Sequence, residues 1–237
     1  MGRVFEKRKH KMFARYAKMA KAFTKLGREL VIAVKAGGPN PDGNSRLRAI
    51  MQNAKSINMP KDRIDAAIKR ATEKDSANYE EIIYEGYGPH SVPMLIETAT
   101  DNPNRTVANL RMYFSRAEGA LGTSGSVSFM FERKALFKIN ASGLSKDDTE
   151  LDLIDFGAEE YTWDDENKEL MIQTSFNDYG AMQKGLEDKN YEVKESLKLF
   201  IPTTGKELTD EQEIDLQALI DKMEEDDDVL AVYHNAQ

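Results

Sequence analysis

Apolar residues recur at three- and four-residue steps over 12–34, at Met12, Phe13, Tyr16, Met19, Ala20, Phe23, Leu26, Leu30 and Val34. Lys11, Arg15, Lys18, Lys21, Lys25 and Arg28 occupy the other faces. That period predicts a long amphipathic helix. Residues 37–44, Gly-Gly-Pro-Asn-Pro-Asp-Gly-Asn, read as a loop, and Asn44 or Ser45 can cap the helix predicted over 45–57. Asn58-Met59-Pro60 interrupts the pattern again. Pro60 can open a third helix over 61–74, with Asp62 in its first turn and Lys69 and Arg70 in its last, as the helix macrodipole favours. The first 76 residues are thus expected to be all-helical.

Beyond the polar stretch 73–78 the period shortens to that of strands. Residues 79–87 and 92–100 carry Ile82, Ile83, Tyr84, Val92, Leu95 and Ile96. Asn102-Pro103-Asn104 begins a helix over 104–117 that stops at Gly119, and a strand is predicted over 126–132. Strand 135–140, helix 146–156, strands 159–163 and 169–174, helix 178–188 and strand 191–200 follow, with Asp164–Asn167 as the hairpin turn. This βαββαβ order is the ferredoxin-like arrangement. The last helix, 209–224, and strand, 228–234, cannot form a domain alone and are expected to complete the sheet begun at 79–132. The fold class is therefore α+β and multidomain. A helical domain, 1–76, precedes two α/β (ferredoxin-like) domains: a discontinuous middle one, 77–133 plus 203–237, and a contiguous one, 134–202.

Charge changes this picture more than composition does. The chain has 237 residues and a net charge of -8, yet residues 1–76 carry 19 Lys+Arg against 7 Asp+Glu, and the remainder carries 14 against 34. A segment of net +12 is thus joined to a body of net -20, a polarity expected of a polyanion-binding part on an acidic partner. The absence of cysteine removes disulfides, thiol nucleophiles and Cys-based metal sites. His10, His90 and His234 lie far apart, which disfavours a His-rich metal site. No apolar run approaches the ~18–20 residues of a membrane helix, and no signal-peptide core is present. A soluble, cytoplasmic protein without cofactor or metal is expected.

No catalytic constellation emerges. Gly119, Gly122 and Gly125 are spaced G-x-x-G-x-x-G, after a helix rather than between a strand and a helix start, and no G-K-[ST] follows. A helix C-cap at Gly119 and a turn explain them, leaving Gly122, Thr123, Ser124 and Gly125 as a candidate phosphate-contacting turn. Asp226-Asp227-Asp228 reads as a solvated turn rather than a Mg²⁺ site. Glu80-Glu81 and Glu159-Glu160 lie in strands, where neighbours face opposite ways. Phosphate-binding candidates are Arg3, Lys7, Arg8, Lys9, Lys11, Arg15, Lys18, Lys21, Lys25, Arg28, Arg46, Arg48, Lys61, Lys69 and Arg70. A membrane-surface helix is disfavoured because its apolar stripe is needed for packing between helices.

Several stretches are recognisable. Tyr79-Glu-Glu-Ile-Ile-Tyr-Glu-Gly-Tyr-Gly-Pro89, Thr100-Asp-Asn-Pro-Asn-Arg-Thr106, Leu121-Gly-Thr-Ser-Gly-Ser-Val127, Phe131-Glu-Arg-Lys134 and Asn58-Met-Pro-Lys-Asp62 closely resemble the YebC/PmpR family. Phe23-Thr-Lys-Leu26 and Asp228-Val-Leu-Ala-Val-Tyr-His-Asn235 match as well. Family members usually begin Gly-His-Ser-Lys-Trp-Ala-Asn before Lys-His-Arg-Lys. Here the chain reads Met1-Gly-Arg-Val-Phe-Glu-Lys7, with Phe5 near the family Trp. The resemblance implies a three-domain, non-enzymatic protein that binds DNA as a transcriptional regulator. A related branch, which includes a mitochondrial translational activator of cytochrome oxidase, implies the alternative of a translation factor on ribosomal RNA and the ribosome.

Overall fold

A computed structural model describes residues 3–73 and 78–237, and within them the side chains from residue 20 onward. Seven α-helices and two four-stranded antiparallel sheets make up these residues. The first helix, α1 (Arg3–Gly37), is continuous, and α2 (Ser45–Ser56) and α3 (Lys61–Thr72) both pack against it. Leu30, Val34, Leu47, Ile50 and Ile64 are buried where the three meet. Asn44 caps α2 by accepting from the Leu47 amide at 3.0 Å. Its amide group donates to the carbonyls of Ala33 and Gly38, so one buried side chain also ends α1.

The first sheet contains β1 (Glu80–Tyr87), β2 (Pro93–Thr100), the short β3 (Ala120–Leu121) and β8 (Val229–His234), in the order β3-β1-β2-β8. Strand β2 is central, pairing with β1 from Glu80↔Thr100 to Tyr87↔Pro93 and with β8 from Met94↔His234. The C-terminal strand thus joins a sheet whose other strands lie more than 100 residues earlier. Helices α4 (Pro103–Arg116) and α7 (Asp210–Glu224) cover one face, placing Leu110, Phe114, Leu216, Leu219 and Met223 against Met94 and Ile96. The order is not ferredoxin-like, contrary to expectation. Strands β1 and β2 form a hairpin at the centre, and among the elements of this unit only β3 lies between α4 and α7, so the pattern becomes ββαβαβ.

The second sheet contains β4 (Phe131–Asn140), β5 (Ala158–Asp164), β6 (Glu169–Ser175) and β7 (Val193–Pro202), in the order β5-β6-β4-β7 with every neighbour antiparallel. With α5 (Lys146–Asp155) and α6 (Tyr179–Asp188) between strands, these elements run βαββαβ and take the ferredoxin-like order. Phe137, Ile139, Leu153, Ile172, Met182 and Leu186 are buried beneath the helices. The chain divides into two compact units, residues up to Val127 with Lys206–Gln237, and Ser128–Gly205.

A second sequence expectation is corrected here. No strand spans 126–132; Ser128–Met130 is a 3₁₀ turn, and β4 then runs unbroken to Asn140 through Glu132-Arg133-Lys134. Those charges are accommodated on the strand. Lys134 pairs with Glu132 and Glu159, and the Arg133 guanidinium lies 3.8 Å from the Phe176 ring centroid.

Candidate nucleic-acid interface

The candidate basic residues divide sharply once folded. Arg28, on α1, points into the first unit: its Nη1 donates to Asp228 Oδ1 at 2.5 Å and to the Ala99 carbonyl at 2.8 Å. Lys25 Nζ approaches the Leu230 carbonyl at 3.5 Å, and burial lowers its pKa. Arg46 forms an ion pair with Glu81, and Arg48 donates to the Pro41 carbonyl at 2.5 Å, holding the loop before α2. Lys21 is half-buried. Lys61, Lys69 and Arg70, all on α3, are exposed. The side chains of Arg3, Lys7, Arg8, Lys9, Lys11, Arg15 and Lys18 lie outside the described residues.

A cleft of about 350 Å³ opens between α1 and α3. Phe23, Gly27, Arg28, Arg63, Arg70 and Tyr79 contribute to its walls. The Arg63 guanidinium sits 5.6 Å from the Phe23 ring centroid, and that of Arg28 sits 5.1 Å from Tyr79, both within the ~6 Å reach of a cation–π contact. Sequence reading singled out neither Arg63 nor the two aromatic residues for binding. The available signal was spacing: Arg63 and Arg70, seven apart, lie on one face of α3.

Asp228 is the buried partner that orders this region. Its carboxylate accepts from Arg105 Nη2 at 2.8 Å, Thr106 Oγ1 at 2.8 Å and Thr100 Oγ1 at 3.2 Å, in addition to Arg28. Asn102 caps α4 by accepting from the Arg105 amide, and Pro103 occupies its first turn, so the helix start delivers Arg105 and Thr106 to one point. Burial pushes the Asp228 pKa up; hydrogen bonds from Arg105, Arg28 and Thr106 outweigh it and hold the carboxyl below its ordinary value. Asp226 accepts from Asn109 Nδ2 and from the Tyr113 hydroxyl, whose pKa is pushed up to about 12 by burial and by the Asp226 charge. Asp228 is therefore no part of a solvated turn. It ties α1, β2, α4 and β8 together.

The glycine-containing turn serves a similar internal role. Glu85, buried on β1, accepts from the Gly125 amide at 2.7 Å and the Val127 amide at 2.8 Å. Of the candidate turn's backbone donors, the Gly125 amide thus faces a carboxylate of the same unit and the Gly122 amide donates to the Glu85 carbonyl at 2.8 Å; Gly122, Thr123, Ser124 and Gly125 themselves are exposed. Nor is Gly119 the left-handed residue after α4. Glu118 takes that conformation (φ 56°), and a Cβ on Gly119 would press on the Tyr87 carbonyl oxygen. Glu85→Gln is expected to destabilise the first unit by about 1–3 kcal/mol, because one amide would face an NH₂ group instead of an oxygen. A urea titration followed by circular dichroism reads that change.

Comparison with known proteins places these residues. The model of the TACO1/YebC protein N-terminal domain matches residues 3–74, and that of the TACO1/YebC second and third domain matches 79–236. The chain belongs to the TACO1/YebC family. It is 52% identical over 237 residues, all of both chains, to a protein of Flavobacterium psychrophilum named "Probable transcriptional regulatory protein". A protein of Cytophaga hutchinsonii with the same name is 54% identical over 235 residues, covering 99% of this chain and 98% of its own. Among solved structures, a conserved hypothetical protein from Aquifex aeolicus matches with a TM-score of 0.76 and 34% identity, over 92% of this chain and 90% of that one. The relatives' names describe a regulatory protein, not an enzyme. No helix among the described residues is long and apolar enough to cross a membrane.

Proposed function

We propose that this TACO1/YebC family member is a non-enzymatic regulator of gene expression that binds nucleic acid through residues 1–76, as a DNA-binding transcriptional regulator. The observation that carries the reading is the charge division, +12 against -20. Exposed Lys61, Lys69 and Arg70 on α3 support it. Arg28 and Lys25 are engaged inside the protein, Arg46 is paired with Glu81 at the surface and Arg48 holds the Pro41 carbonyl, so none of the four is assigned a phosphate contact. The acidic remainder repels a polyanion, so the field near the helices steers the approach over roughly a Debye length of ~8 Å.

Lys61→Glu, Lys69→Glu and Arg70→Glu combined should weaken duplex binding by about 100-fold or more at low salt. The log–log salt slope should flatten by about 2–3, at roughly 0.9 per phosphate contact. Fluorescence anisotropy from 50 to 200 mM salt measures both. Undiminished affinity and an unchanged slope would overturn the assignment to α3.

One observation favours a second reading, a translation factor on ribosomal RNA. Residues 1–30 hold six Lys and four Arg. Lysine acts as a point charge on phosphate, whereas the arginine fork suits bidentate base recognition. Competition binding at near-physiological salt, candidate promoter against scrambled duplex and purified ribosomes, separates the two. A promoter preference above about 10³ with no ribosome binding establishes the transcriptional reading.

A further inference from the structure

The α1–α3 cleft has features that charge alone does not explain. Its volume of about 350 Å³ falls in the ~300–1,000 Å³ range of small-ligand sites. Aromatic and basic groups meet in pairs on its walls, Arg63 with Phe23 and Arg28 with Tyr79. Arg28 is already neutralised by Asp228, which leaves Arg63 and Arg70 as the cationic groups of the cleft able to meet an anion. Gly27 lies in the interior of α1, where glycine weakens a helix relative to alanine. No packing requires glycine there, since a Cβ would meet nothing within 4 Å. The missing side chain keeps the cleft open.

We propose that this cleft receives one unpaired nucleotide, its base against Phe23 and Tyr79 and its adjoining phosphate on Arg63 and Arg70. A paired base within a duplex is stacked on its neighbours and cannot enter a recess between two helices. An unpaired base can, and it presents a π-face to an aromatic wall whatever its identity. A bare anion would make no use of the two rings, and an apolar peptide would make none of the two arginines. The assignment rests on the reading of residues 1–76 as the nucleic-acid-binding part and adds the state of the strand that is bound.

The test uses the full chain and a hairpin prepared in RNA and in DNA, each fully paired or carrying a single 2-aminopurine bulge. The bulged form is expected to bind about tenfold more tightly, as one stacked base contributes, and its fluorescence to fall on binding. Gly27→Met fills the cleft without altering charge and should abolish both the preference and the quenching, with affinity for the paired hairpin unchanged. Thr24→Met, one turn earlier on the same wall, should act likewise and guards against a folding artefact in the first variant. A preference in either sugar series supports the proposal and shows which chemistry the cleft accepts. Equal binding of bulged and paired hairpins, or a preference that survives both variants, overturns the cleft assignment while binding itself sustains the charge reading. If neither hairpin binds, both readings fall.

Discussion

Asp228→Ala is expected to cost the first unit about 3–5 kcal/mol, the usual consequence of removing one member of a buried ion pair. The carboxylate is 3% exposed and joined to Arg28, itself 14% exposed, so the substitution leaves a guanidinium in a site with little water. Thr100 and Thr106 lose an acceptor as well. The reverse deletion, Arg28→Met, should cost less, because Arg105 continues to neutralise Asp228 from a half-exposed position. Wild-type stability should also depend on pH in a defined direction. The folded-state pKa of Asp228 lies below the unfolded value of about 3.9. Its contribution is therefore complete above that unfolded value and is lost as pH falls through the folded one. Asp228→Ala should show a shallower acid limb in urea titrations. Trp163, the single tryptophan, stands on β5 in the second unit and donates to Glu150 at 3.0 Å. Its fluorescence transition should not move in the variant, whereas the helical circular dichroism transition should shift down. An unchanged circular dichroism midpoint would show that the site carries no such energy.

What the sequence could disclose was local. Asn44 and Asn102 announce helix starts by the ability of a short side chain to accept from an amide three residues on, and both do so. The βαββαβ segment was legible because its alternation and turn residues are complete within about 65 contiguous residues. Strand β4 was not, since the charged pair Arg133-Lys134 divides the pattern into strands over 126–132 and 135–140 until its partners on β5 and after β6 are known. Asp228 was opaque for the same reason at longer range. Three consecutive aspartates look solvated, and nothing near them reports that Arg28 and Arg105 converge from 200 and 123 residues away. Helical period likewise put Arg28 and Lys25 on the polar face of α1 without saying that this face meets protein. Charge counting therefore located a basic segment without telling which of its residues, such as Arg28, are engaged within the protein.

A chain ended at Gly205 should lose the whole fold of the first sheet while retaining the second. Helix α7 contributes Leu216, Leu219, Ile220 and Met223 to the core, and β8 adds Val229. A buried side chain of this kind contributes about 1.5–3 kcal/mol, so their combined loss approaches or exceeds the ~5–15 kcal/mol by which a domain is stable. Strand β2 would also become an edge, with its backbone groups from Met94 to Thr98 unpaired on one side. Asp228 leaves with the same segment, stranding Arg28. Residues 128–205 keep every strand partner and every core residue of their own sheet, and should retain Trp163 fluorescence, a cooperative urea transition and resistance to proteolysis. Retained protease resistance of residues 79–127 in the shortened chain would contradict this account, because it would show that β1, β2, β3 and α4 form a stable sheet without the strand that returns from the C-terminus.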